Sequence, residues 1–411
     1  MSTPPVQPVV VRQRLCIVVP TAATHDSRTR RIAISMASRG HEVVVLARSP
    51  GDAAPVSPAS TEEVIDGYRI VRAGIEASRS FSTPRRLLDR ALATRSQGRA
   101  ARLVDPGADL YHGMAFMGIP VALDLARRRE VPAVYDALEL YPDARSISRL
   151  PGLLRAAVRV RERSWARRAD RVVTVNDDLA AVLGQRFGVE RPAVVMNCPP
   201  RWQPSLTRAR RFHEKLGLAP DALVVLYHGG LEPDRGIEQL LAAEGLPAGT
   251  HIVLLGYGRL RDTLAARLAA DSALGARVHL LDAVPPGELL PWVASADVVA
   301  MPIQPTTLNH RLATPNKLFE GLAAGVPILA SDFPAMRAIV VDDPDGPLGA
   351  VCDPTDPAAI ADALRGLLTR DDEARADLRA RCLRASHARY AWEGQVQVLL
   401  ATYGALTRRP W

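Results

Sequence analysis

The chain has 411 residues, more than one ordinary hydrophobic core accommodates, so two domains of roughly 200 residues each are expected. Its 52 Lys and Arg outnumber its 44 Asp and Glu, a net charge of +8 that suits an anionic ligand or surface and does not by itself require nucleic acid. No run approaches about 18 uninterrupted apolar residues, and the opening MSTPPVQPVVVRQR lacks the apolar core of a signal peptide, so a cytoplasmic chain without a membrane span is expected.

The elements alternate in chain order. Leu15–Pro20 (LCIVVP) reads as a buried parallel strand. After the polar loop TAATHDSRTR come a helix over Ile32–Arg39, closed by Gly40, and a strand over Glu42–Ala47. Strand, loop, helix, strand is the start of a doubly wound sheet. A Pro- and Ala-rich loop fills 50–60, and a basic helix is expected over 85–103. Asp109–His112 leads into a further βα unit, with His112 opening the loop HGMAFMG. Val131–Asp136, Arg171–Asn176 and Val194–Asn197 read as strands, and Pro151–Ala169 as an Arg-rich helix.

Residues 198–210 hold three prolines and no periodicity, which marks an interdomain linker. The alternation then restarts. Strands are expected over Ala222–His228, His251–Gly256, Val278–Leu281, Val298–Pro302 and Pro327–Ser331. Helices are expected over Ile237–Ala243, Arg259–Ala270, Glu288–Ser295 and Pro315–Ala324, with a last one over Tyr390–Leu406. This gives a Rossmann-like domain over 1–200, a second over 201–389, and a helix in 390–411 that packs back on the first domain. Two such α/β domains direct their ligand loops to a shared cleft, which suits a reaction that joins two substrates.

Cys16, Cys198, Cys352 and Cys382 are scattered, without a disulfide or metal spacing, so free thiols are expected. Only two of the basic residues are lysines, Lys215 and Lys317. Lys317 sits in the first turn of a helix that Thr314 caps and Pro315 opens, beside Asn316. A cation there opposes the helix dipole. A bound anion explains it: free amides, dipole and Lys317 together make a phosphate site. Glu320 lies on the same face, placed to hold ribose hydroxyls. A plain Lys317–Glu320 surface ion pair is the competing reading. Gly229 and Gly230 end a strand where backbone can approach a ligand, and Arg235 is a second cation for a diphosphate. Gly256-Tyr257-Gly258 is a third ligand loop or simply a tight turn.

The segments LYHGGLEPDRGIEQLLAA, HIVLLGYG, HLLDAVPPGELLPWVASADVVAMP and PNKLFEGLAAGVPILASD resemble the retaining GT-B glycosyltransferases of the family-four type, the glycosyl transferases group 1. RTRRIAISMASRGHEVVVLA, ADRVVTVNDDLA and VVMNCPP extend the resemblance over nearly the whole chain. It implies a GT-B fold of two Rossmann-like domains facing a central cleft. It implies a hexosyltransferase-type enzyme of polysaccharide or glycoconjugate synthesis that uses a nucleoside-diphosphate sugar as co-substrate. Lys317 and Arg235 bind the donor diphosphate in that reading, Glu320 holds the ribose, and Val284 lines the base pocket through its backbone. Retention is implied by the family, by front-face attack in which the leaving diphosphate takes the acceptor proton. No close carboxylate pair for double displacement is identifiable. No Asp-x-Asp metal motif appears, so no metal and no cofactor are expected, and protein cations take the metal's place.

The chain departs from the family at Gly230, where an arginine is common, and at Leu312, where a glutamate is. Met114 and Leu138 stand where histidines are common, which leaves His112, Asp136 and Glu139 to orient an acceptor hydroxyl, unless Asp136 only caps a turn. His25, Asp26 and Arg28 fall on the first loop of the same half, with Arg28 a further cation for the diphosphate. The acceptor is a glycan, a lipid-linked sugar or a small molecule. Helices 85–103 and 155–168 carry enough arginine, with Leu88 and Leu92 among them, to touch the inner face of a membrane, or they are merely solvated. A sugar-nucleotide epimerase, a non-glycosidic coupling enzyme or a non-catalytic binding partner of the same fold are the rival functions. The first βα turn lacks GxGxxG, which disfavours a nicotinamide dehydrogenase.

Overall fold

The computed structural model describes residues 12–23, 26–49, 62–75, 84–205 and 209–411. Contacts divide the chain into two units: residues 1–195 with 396–411, and residues 196–395.

The first unit is built on β1 (Arg14–Val18), β2 (Glu42–Ser49), β3 (Glu62–Ile65), β4 (Tyr68–Ile75), β5 (Leu110–Met114), β6 (Ala133–Asp136), β7 (Arg171–Thr174) and β8 (Ala193–Val194). Their order in the sheet is β3-β4-β2-β1-β5-β6-β7-β8. The central strands are near-continuous apolar runs because helices cover both faces. Only β3 is antiparallel, paired with β4 around Asp66-Gly67. Both turn residues have positive φ, the backbone a two-residue hairpin needs and the reason an Asp-Gly pair is there. Successive strands are added on one side of β1 up to β4 and on its other side from β5 onward, which makes the C-terminal ends of parallel β1 and β5 a switch point.

Several boundaries shift from the sequence expectation, and two of the shifts move candidate residues. The first helix runs Ser27–Ala37, not from Ile32, because the Asp26 carboxylate caps it by accepting from the Thr29 amide. The expected loop after His112 does not exist. β5 continues to Met114, Ala115 turns with φ +58°, and a helix over Ala115–Arg129 starts at once. His112 is therefore mid-strand.

The second unit carries β9 (Leu223–Gly230), β10 (Thr250–Tyr257), β11 (Val278–Leu281), β12 (Val298–Met301), β13 (Ile328–Ser331) and β14 (Gly349–Cys352). All pair in parallel in the order β11-β10-β9-β12-β13-β14, and the switch point lies between β9 and β12. The helix Asn316–Ala323 follows β12 and buries Leu318, Phe319 and Leu322 in this unit's core. Gly236 locks the crossing. A Cβ there would meet the Pro302 carbonyl oxygen at 1.8 Å, and its φ is +75°. The loop after β9 is thereby seated against the end of β12.

The last helix, Trp392–Thr407, counts with the first unit from Val396 onward. In that unit Pro410 accepts from Gln13, and Trp411 packs on His41 with centroids 5.0 Å apart. All four cysteines are buried and free. No helix among the described residues is long and apolar enough to cross a membrane.

The first unit also buries an acid. Glu162, 1% exposed, accepts from the Tyr135 hydroxyl at 2.9 Å. Burial pushes its carboxyl up to about 8. Below about pH 4 both folded and unfolded chains hold this proton. Above it the unfolded chain ionises first, so stability falls by about 1.4 kcal/mol per pH unit until about pH 8. Glu162→Gln, which keeps the acceptor for Tyr135, is expected to match the wild type at pH 4. At pH 8 it should exceed it by a few kcal/mol in urea unfolding. A constant difference across that range would contradict the buried acid. In the second unit, Gly236→Ala is expected to cost about 3 kcal/mol. Gly230→Ala should stay within about 0.5 kcal/mol, because a Cβ there meets nothing nearer than the Glu232 Cγ at 3.6 Å.

Candidate functional site

The β9/β12 switch point gathers most of the residues expected on the donor side. The helix Asn316–Ala323 opens there with no side-chain cap and no acid in its first turn. Its N-cap is Pro315, in extended backbone, and Asn316 is the first helical residue. The expected cap Thr314 and first position Pro315 are thus each one residue early. The proline has no amide to lose and its carbonyl starts the helix. The first amides of the helix have no intrahelical acceptor by construction, and the dipole makes that end positive.

Lys317 is partly buried in this first turn, with Nζ 3.5 Å from the centroid of the Tyr227 ring. Tyr227 is fully buried in β9 and donates its hydroxyl to the Gly230 carbonyl at 2.8 Å. Its face is a platform that holds the ammonium by cation–π attraction. The Lys317 pKa is well below the ordinary lysine value, first through burial and then through the neighbouring Arg235 charge, with Glu320 opposing. A Cβ built on Gly229 would stand 3.9 Å from Lys317 Nζ. Arg235, partly buried one residue before Gly236, forms no ion pair among the described residues.

Glu320 does not form the surface ion pair with Lys317 that its spacing allows. Its Oε2 accepts from His228 Nε2 at 2.9 Å. His228 is 2% exposed and lies next to Tyr227 in β9, and its Nδ1 has no partner. Asn316 Oδ1 accepts from Asn197 at 2.8 Å, so that side chain faces the segment after β8 rather than standing free. Two cations, an open helix end and an oriented carboxylate therefore share one strand crossing. Glu320 is within Coulombic reach of Lys317, but no carboxylate is in ion-pair contact with either cation among the described residues.

The other expected donor-side residues divide. Gly229 and Gly230 are exposed at the end of β9. Gly256 pairs with Gly229 across β9 and β10, and a Cβ on it would meet the Gly229 carbonyl oxygen at 2.0 Å. Strand packing alone thus requires a glycine there. Val284 follows β11 and packs partly buried against the unit's core. Leu312, where the family commonly has an acid, is partly buried too.

In the first unit, His112 and Asp136 meet, but not at an exposed rim. Arg28 grips Asp136 with two bonds, Nε to Oδ2 at 2.7 Å and Nη2 to Oδ1 at 3.1 Å. Its Nη1 donates to the Val195 carbonyl at 2.6 Å. His112 Nε2 donates to Asp136 at 3.1 Å, which leaves Nδ1 to accept from the Tyr403 hydroxyl at 2.8 Å. Arg28 is 2% exposed and the other three are fully buried. Burial alone would raise the Asp136 pKa, but Arg28 and His112 outweigh it and hold the carboxyl below its ordinary range. In this arrangement the carboxylate and imidazole have their hydrogen-bonding atoms engaged within the unit. They form a lock, and Asp136 does more than cap a turn. Arg28 is committed to it and is no spare cation for a diphosphate. Met114 is buried and Leu138 partly so. Asp26 is the cap of the helix Ser27–Ala37, Glu139 is partly buried, and His25 lies outside the described residues.

Sequence reasoning passed over Tyr227, His228, Asn197 and Tyr403. The first two stand inside the quoted string LYHGG, where alternation along β9 already placed them next to the glycines. Tyr403 was legible only as one apolar position of the last helix, because its partner is 291 residues away.

Comparison with known proteins agrees with this geometry. Residues 222–370 match the family described as glycosyl transferases group 1, and residues 25–200 match a glycosyl transferase 4-like domain. A D-inositol 3-phosphate glycosyltransferase of Xylanimonas cellulosilytica is 33% identical over 57% of this chain and 55% of its own. The match thus spans about half of that relative. Among solved structures, a sucrose-phosphate synthase from Thermosynechococcus elongatus superposes with TM-score 0.75 at 19% identity, over 97% of this chain and 100% of that one. Anabaena HepE in complex with UDP-glucose gives TM-score 0.67 at 16% identity, over 96% and 100%. These likenesses carry the two-domain GT-B fold. With both units matched to their respective models, the chain belongs to the glycosyltransferases of group 1.

Proposed function

We propose that this enzyme transfers a sugar from a nucleoside-diphosphate donor to an acceptor hydroxyl, with retention at the anomeric carbon and without a divalent metal. The observation that carries the reading is the pair of cations Lys317 and Arg235, within Coulombic reach of each other and neither in an ion pair among the described residues, with Glu320 only partly offsetting them. Such a pair is costly until an anion lies between its members. A diphosphate supplies two charges and the acceptors for the open helix end.

The bond between the anomeric carbon and the diphosphate oxygen breaks, and negative charge grows on that oxygen. Lys317, Arg235 and the amides at Asn316 and Lys317 meet the growing charge with dipoles already in place. The acceptor oxygen attacks from the same face, and its proton passes to the leaving diphosphate. Tyr227 fixes the position of Lys317, and His228 fixes the rotamer of Glu320, which receives the ribose hydroxyls. Gly229 and Gly230 leave the β9 end bare for the sugar and phosphates. Backbone at Val284 borders the base. A UDP-hexose is the first donor to test, because HepE was solved with UDP-glucose.

Lys317→Ala is expected to lower kcat about 10²–10³-fold with the fold retained, as removal of one preorganised donor does elsewhere. Turnover near the wild-type level would end the phosphate role. Thermal shifts with UDP-, GDP-, dTDP- and ADP-sugars should single out one nucleotide, since ligand at about 100 times its Kd adds about 2.7 kcal/mol to stability. The same nucleotide should leave Lys317→Ala and Arg235→Ala unshifted. An anomeric configuration in the product opposite to that of the donor would refute retention.

A further inference from the structure

The helix Gly152–Ala166 in the first unit carries apolar side chains on its outer face as well as its inner one. Its buried residues are Glu162 and Ala166. On the opposite side, Leu153, Ala157 and Val160 follow one another at i, i+4 and i+7. Leu153 is 88% exposed and Val160 69%. A soluble helix puts such a stripe on the core. Here Val158 and Trp165 already pack against the core beside the buried acid, and Leu153 and Val160 form a second apolar stripe that faces outward.

Arginines flank the stripe on both sides. Arg159, Arg163 and Arg167 border one edge, and Arg161 and Arg168 the other, and all five are exposed. Among the described residues none of them forms an ion pair, though Arg163 and Arg167 donate Nε to the Phe187 carbonyl at 3.2 and 2.7 Å and Arg161 lies over the Trp165 ring. The only acid between 152 and 168 is the buried Glu162, so the outer face carries no negative charge.

A second helix repeats the pattern. Pro84–Leu103 turns Thr94, Gln97 and Ala101 inward and leaves Leu88, Leu92 and Leu103 at 60%, 51% and 77% exposure. Arg95 and Arg99 stand exposed among these leucines. The expected contribution of Arg102 is cancelled by its ion pair with Asp124, and the side chains of Arg85 and Arg86 lie outside the described residues. Both helices contact the helix Ala115–Arg129, so they share one layer of the unit.

We infer that this helical layer docks on an anionic lipid surface. The leucines and Val160 would enter the boundary between head groups and acyl chains. Arg159, Arg168, Arg95 and Arg99 would lay their stems along the apolar stripes and raise their guanidinium groups to lipid phosphates. A charge-complementary lipid surface accounts for both halves of the pattern. A nucleic acid accounts for the arginines and leaves the leucine apex without a partner.

Sedimentation of the full chain with vesicles tests this. Vesicles of phosphatidylcholine with one-third phosphatidylglycerol are expected to bind at least about tenfold more protein than phosphatidylcholine alone at low salt. Raising the salt should weaken that binding. Leu153→Glu/Val160→Glu changes only exposed positions, so its thermal midpoint should equal the wild type's while vesicle binding falls about tenfold or more. Equal sedimentation with both vesicle types would overturn the inference. So would undiminished binding by the double variant, or a short DNA duplex that binds as tightly and displaces the anionic vesicles.

Discussion

Two positive charges within Coulombic reach of each other, neither in ion-pair contact with a carboxylate among the described residues, set the terms for the second unit. Lys317 is drawn into partly buried surroundings, near Arg235, at the positive end of a helix. Each of these circumstances disfavours the ammonium. The fold nevertheless holds it in place, through the Tyr227 ring below it and through a helix whose Leu318, Phe319 and Leu322 are anchored in the core. The stabilisation of the hydrophobic face is large enough to carry the electrostatic penalty of the first turn. An anion that enters this place meets a site already assembled, so little reorganisation is needed when charge develops during reaction.

The surrounding geometry follows from that requirement. Gly236 seats the Arg235 loop against β12 because no side chain fits there. The Gly229–Gly256 pairing brings the ends of β9 and β10 together at the distance their backbones allow. His228 takes Glu320 away from Lys317 and leaves the lysine with no acid in ion-pair contact among the described residues. Had Glu320 paired with Lys317 instead, the ammonium would have a counter-ion in contact and an entering anion would gain less there.

The first unit uses its charges in the opposite way. Arg28 and Asp136 are fully matched, His112 and Tyr403 complete their hydrogen bonds, and the cluster is buried. Removing one partner from such a set leaves an uncompensated buried charge, which makes it a strong fastening and a poor reagent. Tyr403 comes from the last helix, so this network ties the C-terminal segment to β5 and β6. Exposed arginines of the outer helix layer such as Arg95, Arg99, Arg159 and Arg168 are a third arrangement, with neither ion pairs nor burial among the described residues. The same residue type thus stands open beside another cation, is matched in a buried pair, or lies exposed on a helix, according to what stands opposite it.

The sequence by itself determined the alternation of strands and helices, and with it the doubly wound sheet in each half. Continuous apolar runs and helix-period segments are local signals, and burial on both faces leaves them little freedom. It also marked Lys317, because a lone lysine at a helix start conflicts with a local electrostatic rule. The Asp66-Gly67 hairpin was equally written in the chain and was overlooked. Tertiary structure decided which charges are spent and which stay open. Asp136 could have faced an acceptor, but Arg28, 108 residues away, closes it off. Glu320 could have neutralised Lys317, but His228, 92 residues away, takes it. Neither outcome is local, since hydrogen bonds of this kind depend on positions to within a fraction of an ångström that only the packed sheets supply.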